Sequence, residues 1–164
     1  GKDVVVIGGG NSALHGAEYL EKICSSVSLV HRRDEFRGDL MLVERLKGSG
    51  RVKMLLSYEP LEVLGDKKVD SLRLKDVKTG KTHDLKCDGV FIYVGYQPQS
   101  ELLKGLCDMD DYGYVLTDNS MSSSLKGLYC AGDIVKKAHR QMVTATSDGC
   151  IAALGVNEYL NKNK

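Results

Sequence analysis

The sequence predicts an α/β protein with a parallel sheet at its centre, and three stretches carry that prediction. Val4 to Ile7 is a continuous β-branched run, the pattern of a strand buried on both faces of a parallel sheet. Gly8, Gly9 and Gly10 follow it directly, and beyond them Ala13, Ala17, Leu20 and Cys24 recur at helical spacing, with Leu14 beside them. Val27 to Val30 then returns as a second strand. Strand, glycine turn, helix and strand in this order form a βαβ unit.

The turn has the form G-x-G-x-x-A at Gly8, Gly10 and Ala13. Glycine at these places permits a tight turn and a close approach of backbone to a pyrophosphate, and the small third residue lets the helix pack on the strand. Free N–H groups at the helix start, with Asn11 and Ser12 as side-chain donors, would hold the negative charge. Glycines open many turns, so the end of the second strand decides what this one holds. In units that take an unphosphorylated dinucleotide, an acidic residue about twenty positions after the glycines accepts hydrogen bonds from the adenine ribose. Here that place carries His31, Arg32 and Arg33, with Arg37 one helical turn further on. A carboxylate would repel a 2′-phosphate, whereas guanidinium groups bind it bidentately, so the expected nucleotide is NADP(H). A merely solvated basic face is the weaker reading, because the cluster occupies the ribose-reading position.

Composition narrows the class. The 164 residues allow one sizeable domain or two small lobes, with an ordinary 42% hydrophobic content. A net charge of +1, with no basic stripe interleaved with aromatics, gives no sign of a nucleic-acid partner. No apolar run approaches a membrane span and no basic leader precedes an apolar core, so a cytoplasmic protein without membrane attachment is expected. The five cysteines, Cys24, Cys87, Cys107, Cys130 and Cys150, are scattered and none forms C-x-x-C. That pattern fits a reducing compartment and mostly buried thiols. His15 has no second metal-type residue at a useful spacing and reads as a surface or packing residue, and no metal site is expected.

Further along, Leu40 to Lys47 reads as a short helix ending at Gly48-Ser49-Gly50, and Met54 to Ser57 as another parallel strand. Leu61 to Leu64, Val69 to Val77 and Thr82 to Cys87 alternate and are broken by glycine turns, which predicts a β-meander replacing a crossover helix. Gly89 to Val94 is one more buried strand, and Gly95 with Pro98 marks a boundary between residues 1–95 and 96–164. In the second lobe Tyr112 to Val115 and Gly127 to Asp133 read as strands, and a helix is expected from about Thr144 to Leu160. Asp133, at a strand end, either caps the next turn or accepts hydrogen bonds from a sugar or polyol hydroxyl, and both readings stay open on the residues alone.

Three runs, GGGNSALHGAEYL…VSLVHRRDEFRGD, FIYVGYQP and GLYCAGDIVKKAHRQMVTATSDGCIAAL, closely resemble the low-molecular-weight thioredoxin reductase family of NADPH-dependent flavoproteins. The resemblance extends over essentially the whole chain and keeps the order of the motifs. It implies an α/β fold of the three-layer β/β/α FAD/NAD(P)-binding type, followed by a partial second nucleotide-binding lobe. It maps the 2′-phosphate site of NADPH onto His31, Arg32, Arg33, Phe36 and Arg37; the turn residues Gly8, Gly9, Gly10, Asn11, Ser12 and Ala13 and the strand-end Gly95 complete the expected cofactor-binding set on this side. The implied FAD contacts are Gly132, Asp133, Arg140, Gln141 and Met142, with Val143 following, which favours a flavin role for Asp133. His15 and Gly16 stand where relatives commonly carry two acidic residues, a departure that bears on the nicotinamide side.

The family reaction passes hydride from NADPH to FAD, then electrons to a C-x-x-C disulfide and on to thioredoxin or a similar disulfide protein. The resemblance places the N-terminal FAD half and the C-x-x-C motif upstream of Gly1, so this chain is expected to be a part of such an enzyme, inactive alone and without retained FAD. None of the five cysteines matches the missing pair, and Cys130 and Cys150 read as small buried thiols. Gly95 to Pro98 would form one connection for the domain rotation known in the family, and the full-length protein would be a homodimer. Two other readings are a part of a ferredoxin- or flavodoxin-NADP reductase of the same architecture, which has no active-site disulfide, and a non-catalytic NADP(H)-binding module.

Overall fold

The computed structural model describes residues 1–163, which divide into two compact units, Gly1–Gly95 and Tyr96 onward. In the first unit β1 (Asp3–Ile7), β2 (Ser26–His31), β3 (Val52–Leu56) and β7 (Gly89–Ile92) form a four-stranded sheet in the order β3-β2-β1-β7, parallel throughout. β4 (Tyr58–Leu64), β5 (Ser71–Asp76) and β6 (Thr82–Lys86) form the expected meander, a separate antiparallel sheet with a bulge between Pro60 and Glu62.

Alternation along β1 explains why the unit has three layers. Val4 and Val6 face one side, where they join Leu14, Ala17, Leu29, Leu42 and Leu46 beneath helices α1 (Asn11–Leu20) and α2 (Leu40–Ser49). Val5 and Ile7 face the other side and join Val30, Leu72, Leu74 and Cys87 beneath the meander. Successive side chains of a strand point to opposite faces, so an unbroken apolar strand requires a covering layer on both. The result is helix layer, parallel sheet and antiparallel sheet, the β/β/α arrangement anticipated above.

The element ends have local causes. α1 stops at Leu20 although its apolar face was expected to run to Cys24; Cys24 still packs against the same core after a turn in which its N–H donates to Leu20 O at 2.9 Å. α2 begins at Asp39, whose carboxylate accepts from Met41 N at 2.8 Å, and ends at Gly50 with φ of 65°, a left-handed cap that glycine adopts without cost. It therefore ends within the Gly48-Ser49-Gly50 stretch that the sequence marks as its stop. β7 ends at Ile92, two residues earlier than expected.

In the second unit two expected strands are corrected. Residues 112–115 and 127–133 contribute only isolated bridges, Met109 with Val115, Val115 with Val135, and Ser122 with Tyr129. Gly127 and Gly132 have φ of 84° and 83°, which breaks the extended run, and Gly132–Ile134 is a single 3-10 turn. A small core of Val115, Cys130 and Val135 holds these loops together. α3 (Met142–Lys162) is the unit's long helix, two residues longer at each end than expected. Its Gly155 is buried, and a Cβ there would lie 2.8 Å from the Tyr129 ring and 2.9 Å from Ser120 O.

Leu29→Ala, which empties a fully buried site between the helices and the sheet, is expected to lower stability by about 2–5 kcal/mol in urea denaturation of the chain. Gly155→Ala is expected to destabilise the second unit, because backbone at Ser120 cannot yield as a side chain would; a lower thermal midpoint than wild type checks it.

Candidate functional site

The carboxyl ends of β1, β2 and β7 open into a cleft of about 250 Å3, lined by Ile7, Gly8, Gly9, Val30, His31, Arg32, Arg37, Glu59, Pro60, Tyr93 and Val94. β1 has β2 on one side and β7 on the other, and chain connections run in opposite directions from it, so the cleft lies at the topological switch point of the sheet.

Each glycine of the turn has a distinct steric reason. Gly8 has φ of 149°, and a Cβ on it would meet Tyr93 O at 2.4 Å and the Ala13 Cβ at 2.8 Å. Its N–H donates to Val30 O at 3.0 Å and Tyr93 N–H to Ile7 O at 2.7 Å, so three strand ends are tied at this residue. A Cβ on Gly9 would sit 2.2 Å from the His31 ring. Gly10 is uncrowded and caps α1 with extended backbone. Ala13 is fully buried below the turn. The first N–H groups of α1, including those of Asn11 and Ser12, have no intrahelical acceptor and remain as donors. The Asn11 side-chain oxygen accepts from Asp39 N at 2.7 Å, which leaves its amide group as the donor.

The same turn anchors the arginine segment. Arg37 N and Gly38 N both donate to Gly9 O, at 2.7 and 3.1 Å. Gly38 fits under Leu14 and Asn11, where a Cβ would lie 2.4 Å from Leu14 Cδ1. Phe36 stacks on the His31 ring with centroids 5.5 Å apart. His31 is buried and its Nε2 has no hydrogen-bond partner among the described residues. Burial holds the imidazole below its ordinary value, and the positive charges of Arg37, Arg33 and Arg32 act in the same direction, against a backbone hydrogen bond at Glu35. Arg32, Arg33 and Arg37 are exposed, and among the described residues none of them is in an ion pair. Arg73 shows the contrast: Asp84 and Glu62 hold it at 2.9 and 3.1 Å.

Sequence reasoning missed Gly38, Glu59 and Tyr93. The Gly38 signal was a glycine just before the Asp39 cap; Tyr93 is marked only by following β7, and Glu59 by nothing local. Tyr93 also covers Gly16, where a Cβ would meet the ring at 2.8 Å, while His15 is an exposed residue 3.7 Å from Glu18.

Gly95 closes the first unit, with φ of 117°. The remaining expected contacts gather around the N-terminal part of α3 in the second unit. Gly132 N donates to Asp148 Oδ2 at 3.1 Å, and Lys137 Nζ reaches the same oxygen at 2.6 Å. Asp133 is exposed, with Lys137 3.6 Å from it. Arg140 lies over the Tyr114 ring at 3.7 Å, and its buried Nε has no hydrogen-bond partner among the described residues. Gln141 caps α3, its N–H donating to Thr144 Oγ1 at 3.1 Å, and Met142 is 86% exposed. An unpartnered guanidinium nitrogen, an exposed carboxylate and an exposed apolar side chain suit a ligand with both polar and apolar parts. All five cysteines are free; Cys87 and Cys130 are buried, and burial pushes both thiols up. Cys150 corrects the expectation of a buried thiol, because it lies on an exposed face of α3.

Residues 1–149 match the family of the pyridine nucleotide-disulphide oxidoreductases. The chain belongs to that family. It is 39% identical over 160 residues to a thioredoxin reductase of Mycolicibacterium smegmatis, a match covering 97% of this chain and 51% of the relative. Among solved structures, Lactococcus lactis thioredoxin reductase in its FR conformation aligns with a TM-score of 0.85 at 34% identity, covering 98% of this chain and 54% of that one. The thioredoxin reductase of T. acidophilum aligns at 0.83 and 33% identity, covering 100% and 54%. The resemblance to thioredoxin reductases read from the motifs therefore holds across the chain, which spans about half the length of the curated relatives it matches. Among the described residues no helix of this oxidoreductase-family chain is long and apolar enough to cross a membrane.

His31 gives the site a pH signature. Its folded value lies below the ordinary 6.5, so below that pH the unfolded chain takes up the proton first and stability falls; above it His31 adds no pH dependence. Urea denaturation between about pH 7 and about pH 5 is expected to show this loss, and His31→Gln to flatten that part of the profile.

Proposed function

We propose that residues 1–95 are the NADPH-binding domain, and residues 96–164 the C-terminal segment of the FAD-binding domain, of a cytoplasmic thioredoxin-disulfide reductase. The observation that carries the reading is a glycine turn at the sheet's switch point whose Gly9 carbonyl accepts from Arg37 N and Gly38 N, beside three exposed arginines, Arg32, Arg33 and Arg37, that are in no ion pair among the described residues. In this assignment the open N–H groups of Gly10, Asn11 and Ser12 receive the pyrophosphate. Arg32, Arg33 and Arg37 hold the 2′-phosphate, and Glu59, the carboxylate in the cleft lining, accepts from a ribose or base donor.

In the second unit Asp133 accepts hydrogen bonds from the polyol or sugar of FAD, Arg140 and Gln141 add polar contacts, and Met142 covers an apolar part. FAD supplies the hydride-accepting chemistry when bound. The route proposed for the whole enzyme runs from NADPH to FAD, to an active-site disulfide and to thioredoxin, in a homodimer. No two cysteines here form C-x-x-C, so the role assigned to this chain itself is nucleotide binding without turnover.

The purified chain is expected to be colourless and to bind NADPH more tightly than NADH in fluorescence titrations. Replacing both Arg32 and Arg33 by Ala removes two charge-assisted contacts and is expected to weaken NADPH binding by about tenfold or more. A yellow preparation with stoichiometric FAD overturns the first expectation, and equal affinity for the two nucleotides the second.

A further inference from the structure

The arginine segment is fastened at a second point, away from the glycine turn. Ser57 follows β3, is buried, and has φ of 61°, a left-handed conformation that a residue with a Cβ seldom adopts. Its N–H donates to Arg33 O at 3.1 Å, and its carbonyl accepts from Val77 N at 2.8 Å. The Ser57 hydroxyl donates to the Asp34 carboxylate, and Lys78 Nζ reaches the same carboxylate oxygen at 2.9 Å. The hydrogen bond from Ser57, and then Lys78, hold the Asp34 carboxyl below the usual carboxylate range.

Stability does not account for this cluster. Asp34 and Lys78 are each 65% exposed, and exposed ion pairs contribute little to folding, while the conformation of Ser57 works against it. Its position accounts for it better. Asp34 is one of two acids inside the stretch Arg32 to Arg37, the other being the exposed Glu35, and a carboxylate at this place can pair with an arginine or repel an incoming phosphate. A hydroxyl and an ammonium group on that carboxylate leave the three guanidinium groups free of it. The bond from Ser57 N to Arg33 O also fixes the backbone between two of those arginines, and a guanidinium positioned in advance loses less freedom on binding.

We infer that Ser57, Asp34 and Lys78 act as a positioning cluster that sets the preference for a 2′-phosphorylated nucleotide over its unphosphorylated counterpart. The inference rests on the reading of Arg32, Arg33 and Arg37 as a phosphate site. Fluorescence titration of the full chain with NADPH and with NADH tests both, using wild type, Ser57→Ala, Lys78→Gln and Lys78→Arg. Ser57→Ala and Lys78→Gln are expected to weaken NADPH binding by roughly three- to tenfold with NADH unchanged, and Lys78→Arg to keep the wild-type ratio. A purely structural role would move both nucleotides together. An unchanged NADPH:NADH ratio in both weakened variants overturns the cluster's role while leaving the phosphate site standing. If Ser57→Ala fails to fold, the exposed Lys78→Gln decides alone. A wild-type chain that takes both nucleotides equally overturns the phosphate reading and the cluster with it.

Discussion

The contact of the Gly8-Gly9 backbone with the Tyr93 carbonyl and the His31 ring is the constraint on which the rest of the first unit depends. At 2.2 to 2.4 Å from a hypothetical Cβ, these groups leave room for a bare backbone and nothing else. Because the backbone is bare, the ends of β1, β2 and β7 converge on one point, and because they converge, a cleft forms there. The arginine segment takes its position from the same turn, since Gly9 O accepts from both Arg37 and Gly38. Fold and site are thus joined through one carbonyl.

Convergence of strand ends would mean little without a rigid sheet behind it. Val4 and Val6 anchor one face beneath the helices, while Val5 and Ile7 anchor the other beneath the meander, so β1 cannot shift by one residue without exchanging its two buried faces. Register is therefore fixed by burial on both sides, and the position of Gly8 at the strand end follows. This is why the layer that replaces a crossover helix matters for the cleft: the meander closes the second face of the sheet and also brings Glu59 and Pro60 to its lining.

How much of this was legible in the sequence depended on how local each feature is. The βαβ unit, the meander and the basic cluster follow from periodicity and punctuation over short windows, and the structure has them. The strands expected at residues 112–115 and 127–133 did not form, because a short apolar run becomes a strand only when a neighbour pairs along it, and here the pairing stops at single bridges. The roles of Ser57, Tyr93 and Glu59 were hidden for a related reason. Each acts across the fold on a segment tens of residues away, and no local pattern shows such a role. Gly38 lay between, since a glycine before a helix cap is a local cue, but the crowding against Leu14 that requires it is tertiary.

His31 shows why the cluster is built from arginines around a buried imidazole. Burial and three neighbouring guanidinium groups both favour its neutral form, so the positive charge at the strand end comes from Arg32, Arg33 and Arg37. Arginine keeps its charge throughout the physiological range, whereas a charged histidine would make the field at this point vary with pH. The neutral ring does a different job: it stacks on Phe36 and edges the Gly9 backbone. An anion arriving at the three guanidinium groups would relieve their mutual repulsion and, with it, part of what depresses the His31 proton affinity. Binding of an anion there would therefore favour protonation of His31, and protonation of His31 would favour the anion, through residues that the glycine turn holds in place.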